Sequence, residues 1–104
     1  MQPFTATVIE IIQGIPDGKV MTYGQIAGLA GSPRAARQVV RILHSMSDKY
    51  HLPWHRVINS LGETAIKNDE MNALQQLFLQ SEGIEISADN RINLELYQYH
   101  PERF

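Results

Sequence analysis

The sequence predicts a mainly α-helical single domain with a small β component, and three observations predict it. Apolar residues recur at three- and four-residue spacing in four stretches. Gly, Pro and Asn punctuate the chain between those stretches, and two short segments near the C-terminus alternate apolar and polar residues. At 104 residues and 43% hydrophobic content the chain can build one modest core. No internal repeat, linker or low-complexity run divides it, so residues 1–104 are read as one domain.

Phe4, Val8, Ile11 and Ile12 fall on one helical face, and Pro3 suits a helix start. Gly14 and Pro16 stop that helix, and Asp17-Gly18 makes a turn. Thr22-Tyr23-Gly24-Gln25 fits a capping box, with Ile26, Ala27, Leu29 and Ala30 forming a short helix that Gly31 can end. Ser32-Pro33 reads as the N-cap and first position of a second helix. At about 100° per residue, Arg34, Gln38, Arg41 and Ser45 form one stripe with Arg37 beside it, opposite Ala36, Val39, Val40 and Leu43. Two short helices across a Gly-Ser break are the helix-turn-helix pattern. Met46 to Leu52 reads as a polar loop, Val57-Ile58 as extended, and Asn59 to Gly62 as a turn. Met71, Leu74, Leu77 and Phe78 define a last helix ended by Gly83. Ile84–Ile86 and Ile92–Leu96 alternate as a hairpin around Ala88-Asp89-Asn90. The expected architecture is therefore a winged-helix-like helix-turn-helix domain with short C-terminal strands.

The net charge of −2 hides a division along the chain. Residues 17–67 hold seven Lys and Arg against three acids, whereas the remainder holds two against eight. A basic middle between acidic ends is a footprint for a polyanion, or else ordinary surface scatter. Zero cysteines exclude disulfides, thiolate metal sites and thiol catalysis. Met1-Gln2-Pro3-Phe4 lacks a basic region followed by a long apolar run, and no stretch approaches the roughly 20 apolar residues that span a bilayer. The expectation is a cytoplasmic protein without membrane contact, monomeric because no dimer seam is evident.

Three ordered segments then carry a resemblance. They are Gly18-Lys19-Val20 through Tyr23 and Ile26-Ala27; Pro33 through Ala35-Ala36-Arg37-Gln38-Val39; and Pro53-Trp54-His55-Arg56-Val57-Ile58-Asn59, with 17 residues from Arg37 to Trp54. From about Phe4 to Ile86 the chain resembles the DNA-binding domain of the O6-alkylguanine–DNA alkyltransferases, and most closely the alkyltransferase-like proteins. The transferases carry Pro-Cys-His-Arg, and the alkyl-accepting Cys is replaced here by Trp54. Their separate N-terminal domain has no counterpart in this sequence, and an Asn eight residues before the Cys would fall at Met46. Glu82 matches the acid that orients the active-site His, here His55.

The resemblance implies non-catalytic recognition of O6-alkylguanine in double-stranded DNA through the minor groove. It further implies flipping of the damaged nucleotide and hand-over to nucleotide-excision-repair proteins. It makes Arg37 the finger that fills the space left by that nucleotide, and Tyr23 the residue that pushes the phosphate 3′ of the lesion. Arg34 and Arg41 become phosphate contacts, and Trp54, His55, Val57, Ile58, Asn59, Ser60 and Lys67 the lesion pocket. No catalytic residue, metal or cofactor is implied. Chemistry agrees, because alkyl displacement needs a strong nucleophile and an indole offers none at neutral pH. Bland alternatives stand beside each role: Trp54 as a core aromatic, Arg34, Arg37, Arg41 and Lys67 as solvated surface charges, Tyr23 as capping-region packing, and Arg56 as a structural hydrogen-bond donor. Two other functions compete. A sequence-specific transcriptional regulator would read an operator with the Arg34–Arg41 helix, and a metal-dependent enzyme would use His44, His51 and His55 with Asp48.

Overall fold

A computed structural model describes residues 1–64 and 66–102 of the chain; Ala65, Arg103 and Phe104 lie outside the described residues. Helix α1 (Pro3–Gln13) starts on proline and buries Val8, Ile9, Ile11 and Ile12. The Asp17-Gly18 turn and Val20 lead into strand β1 (Met21–Thr22). Helix α2 (Tyr23–Leu29) begins on the expected capping box: Gln25 N–H donates to Thr22 Oγ1 at 3.1 Å, and Thr22 N–H donates to Gln25 Oε1 at 3.2 Å. Helix α3 (Ala36–Tyr50), a 3-10 turn (Trp54–Arg56), strand β2 (Val57–Ile58), helix α4 (Asp69–Ser81) and helix α5 (Leu94–Tyr97) follow. The architecture is mainly helical with a small sheet, and α2 and α3 form the helix-turn-helix.

Strands β1 and β2 pair in parallel, Met21 opposite Val57 and Thr22 opposite Ile58. The pairing has a positional consequence. Tyr23 directly follows β1 and the turn bearing Trp54 directly precedes β2, so a few ladder hydrogen bonds bring two distant aromatic residues to one region. The core is built in two parts. Val8, Ile11, Ile12, Met21, Ile26, Val39 and Val57 join α1, α2, α3 and the sheet. Val20, Ile58, Leu79, Ile84 and Ile92 tie α4 and the C-terminal segment to the same sheet.

Three expectations are corrected. First, Ser32-Pro33 does not start α3: Ala35 N–H donates to Ser32 O at 2.9 Å, closing a turn, and Ala35 occupies the N-cap without a side-chain cap. Ser and Pro suit the first two positions of a β-turn as well as a helix start, and the turn wins. Arg34 therefore precedes the helix and leaves the stripe of Gln38, Arg41 and Ser45. Second, Met46 to Tyr50 is helical, because Leu43, Met46 and Tyr50 continue the apolar spacing beneath a polar surface. The helix ends at His51 (φ 52°), Leu52 N–H donates to Ser47 O at 3.0 Å, and Pro53 then bars continuation.

Helix α4 lies where expected, just before Gly83, but Met71, Leu77 and Phe78 on it are exposed and its buried residues are Gln75 and Leu79. Besides Leu79, it docks through side-chain amides. Asn72 Nδ2 donates to Ile66 O at 3.2 Å, Gln76 Nε2 to Thr64 Oγ1 at 2.9 Å, and Gln75 Nε2 to His55 O and Val57 O at 3.2 and 3.1 Å. Third, the C-terminal hairpin is reduced to one isolated bridge, Ile86 with Ile92, and Arg91 beside it bridges instead to Glu63. Asn93 caps α5 by accepting from Glu95 N–H at 3.0 Å, which turns the second alternating segment into helix.

Candidate nucleic-acid interface

Arg37 lies in the first turn of α3, Arg41 four residues on, and Arg34 in the preceding turn; all three are exposed. None forms an ion pair among the described residues. Residues four apart share a helix face, so Arg37 and Arg41 present their guanidinium groups together.

Beside this face opens a cavity of about 820 Å³. Tyr23, Trp54, Val57, Ile58, Asn59 and Lys67 line it. Tyr23 was expected as a phosphate contact, and the structure places it on the same walls as Trp54. His55 and Ser60, expected in the pocket, are not among the lining residues: Ser60 sits exposed in its turn, and the His55 ring is engaged by Glu82. Sequence reasoning missed the wall contributed by α3, formed by Val40, Leu43, His44, Ser47 and Asp48, and that of α4, which includes Met71 and Gln75. The α3 wall had a signal, since Val40, His44 and Ser47 recur at helical spacing next to Arg37 and Arg41. Gln75 had none, because a glutamine among surface-type residues reads as solvated.

The Trp54 ring is half-buried rather than sealed. The Phe78 ring meets it edge-on at 6.1 Å and 61°, and the His55 ring at 6.2 Å and 86°. His55 and Phe78 are in turn 5.3 Å apart, so three aromatic rings brace one another. Phe78 was not singled out from the sequence as a partner of Trp54. Burial also raises the Tyr23 phenol above its usual 10.0, which keeps it a neutral hydrogen-bond donor.

Glu82, at the C-terminal end of α4, anchors the turn that bears Trp54. Arg56 donates from Nε to Oε1 at 2.9 Å and from Nη2 to Oε2 at 2.8 Å, a bidentate pair. His55 Nε2 donates to Oε2 at 2.6 Å, and Gly18 N–H donates to Oε1 at 3.0 Å. Arg56 Nη1 also donates to Ile15 O at 2.9 Å, so this residue is a structural donor. Burial pushes the Glu82 carboxyl up, but hydrogen bonds from Arg56, Gly18 and His55 outweigh it and hold the group at about 2. The ionised carboxylate thus ties three segments together. No thiol stands near His55 for this pair to activate, because the chain has no cysteine.

Among the described residues, no three or more His, Asp and Glu side chains gather as a metal site, so His44, His51 and His55 do not assemble one. No helix among them is long and apolar enough to cross a membrane.

A helix-turn-helix with exposed arginines on its second helix, next to an aromatic-lined cavity in the usual size range for small-ligand pockets, defines a nucleic-acid-binding domain with a receptor site. Over residues 3–84 the chain matches the family described as 6-O-methylguanine DNA methyltransferase, DNA binding domain, and it belongs to that family. It is 41% identical over 101 residues to a DNA base-flipping protein of Vibrio parahaemolyticus, covering 97% of this chain and 100% of the relative. It is 40% identical over 97 residues to the DNA base-flipping protein of Escherichia coli, covering 93% and 74%. Its fold is similar to that of Schizosaccharomyces pombe Atl1, solved in complex with damaged DNA containing O6-carboxymethylguanine. That match has a TM-score of 0.86 at 37% identity and covers 97% of this chain and 98% of the other.

Proposed function

We propose that this chain recognises O6-alkylguanine in duplex DNA, extrudes the damaged nucleotide and holds it without removing the alkyl group. One observation carries the proposal: the half-buried Trp54 ring lines an open cavity beside the arginine-bearing face of α3. The relatives named as base-flipping proteins, and Atl1 bound to alkylated DNA, support the same reading.

In this account α3 enters the minor groove. The Arg37 guanidinium, planar and able to stack, fills the gap left by the extruded base and pairs with the orphaned cytosine. Arg34 and Arg41 neutralise flanking phosphates. The neutral Tyr23 phenol donates to the phosphate 3′ of the lesion. The base then rests in the cavity against Trp54, with Lys67 at its edge. Extrusion costs a few kcal/mol, and less where pairing is already weakened. O6-alkylation removes the guanine N1 proton, so part of the selectivity is inherited from the DNA. Stacking on the indole contributes about 1–3 kcal/mol.

Transfer requires an electron pair that displaces guanine O6 from the alkyl carbon. A thiolate supplies one; the indole does not, because its nitrogen pair belongs to the ring. The His55–Glu82 pair then serves only to hold the turn. Because no step consumes the complex, it persists and marks the lesion for excision repair.

Matched duplexes carrying guanine or O6-methylguanine at one position test the proposal. The expected result is at least tenfold tighter binding of the alkylated duplex, with the methyl group recovered intact on the DNA. Equal affinity for both duplexes, affinity that follows base sequence regardless of alkylation, or methyl transfer to the protein would each contradict it.

A further inference from the structure

We infer that the cavity selects by the charge of the alkyl group, favouring neutral or donor-bearing O6 substituents over anionic ones, with Asp48 and Glu63 setting the preference. The inference rests on the reading of this cavity as the O6-alkylguanine site. Asp48, from the last turns of α3, and Glu63, from the loop after β2, both line it. Glu63 is fixed in place: its N–H donates to Asn59 Oδ1 at 2.9 Å, and its Oε1 accepts from Asn59 Nδ2 at 3.2 Å. Its counter-charge is weak. Arg91 Nε is 3.8 Å from Glu63 Oε2 and also 3.6 Å from Asp89 Oδ2, so two carboxylates share one half-exposed guanidinium. Asp48 has no ion-pair partner among the described residues. Against these two carboxylates, Lys67 is the one Lys or Arg among the lining residues described.

An independent observation points the same way. Gln75, 1% exposed and also on the cavity wall, commits its amide N–H groups to His55 O and Val57 O. Its Oε1 is buried and has no hydrogen-bond partner among the described residues. The lining therefore carries two carboxylates against one lysine and one histidine, with an acceptor lacking a donor buried behind it. An entering carboxylate adds more negative charge and more acceptors in a site partly screened from water, whereas an amide or amine brings donors.

The test uses three duplexes that differ at one base: O6-methylguanine, O6-carboxymethylguanine and its neutral isostere O6-carbamoylmethylguanine. They are titrated at one salt concentration, so that the phosphate contribution is common to all. The unmodified chain is expected to bind the carbamoylmethyl duplex roughly fivefold tighter than the carboxymethyl duplex, which corresponds to about 1 kcal/mol. In the double variant Asp48→Asn, Glu63→Gln the ratio is expected to fall below about twofold. Gln at 63 keeps an oxygen for Asn59, and Asp48→Asn alone, at an exposed position, must lower the ratio in the same direction. Equal affinities, tighter binding of the anionic adduct, or a ratio unchanged by the variants overturns the inference. A failure to prefer O6-methylguanine over guanine is a separate result, which overturns the reading of the site and this inference with it.

Discussion

In the proposed function the indole at position 54 offers an extruded base a stacking surface, where a thiol would take the alkyl group from it. Trp54→Ala is expected to remove most of the preference for alkylated DNA, a loss of about 1–3 kcal/mol or roughly fivefold to 150-fold, while weak binding to undamaged duplex remains. Arg37→Ala is expected to weaken binding of the alkylated duplex by at least about tenfold, since the emptied stack loses its filler; affinity equal to the unaltered chain would refute the finger role. Glu82 supplies a third expectation, in stability. Its carboxyl is held at about 2 instead of the usual 4.5, so the folded state favours the ionised form. Its contribution, about 3 kcal/mol from that difference, is complete above pH 4.5 and fades as pH falls towards 2. Chemical denaturation between pH 5 and 2 should show this loss, and Glu82→Gln should be less stable at pH 5 with a flatter profile below it. At this scale the sequence was informative where a residue's chemistry is unusual in its motif, as for Trp54. It was silent on Gln75 and Phe78, whose importance depends on what α4 packs against.

Elements explain how those side chains are held. The parallel pairing of β1 with β2 joins the start of α2 to the turn bearing Trp54, and strands of two residues each carry no pattern from which a register could be read. Helices were legible where end signals and apolar spacing agreed, Pro3 and Gly14 for α1 and the capping box for α2. They were misread where one signal served two structures: Ser32-Pro33 suits a turn and a helix start, and Ile92 to Leu96 alternates yet forms α5 behind the Asn93 cap. The loop after β2 depends on one glycine. Gly62 has φ +79°, and a Cβ there would stand 2.6 Å from Ile92 O, while Ile92 N–H donates to Gly62 O at 2.7 Å. Both constraints fall on backbone that cannot yield cheaply, so Gly62→Ala is expected to cost about 2 kcal/mol or more and to lower the Tm by roughly 10 °C. A thermal melt unchanged within a degree or two would mean the loop adapts.

Across the whole molecule, charge and packing divide the labour. Basic residues concentrate between 17 and 67, the span that contains α2, α3 and most of the cavity-lining residues, so a chain of net charge −2 still presents a cationic face to a polyanion. If about four phosphates are neutralised, the logarithm of the binding constant should fall with the logarithm of salt concentration at a slope of about −3.6. An affinity indifferent to salt would contradict an arginine-led interface. The C-terminal segment closes the structure from behind: Val20 N–H donates to Tyr97 O at 2.9 Å, Tyr99 N–H to Val20 O at 2.8 Å, and Gln25 Nε2 to Tyr99 O at 2.6 Å. That closure was not legible, because its partners lie more than seventy residues apart and carry no pattern that links them. The fold class and the cationic face were legible, since composition and periodicity carry both. The central claim, that an extruded base comes to rest on the indole, is tested most directly by the emission of Trp54, the sole tryptophan. Titration with duplex containing O6-methylguanine should quench that emission in a saturable way, with little change for the guanine duplex at equal occupancy. Identical emission changes with both duplexes, despite tighter binding of the alkylated one, would show that recognition occurs away from this ring.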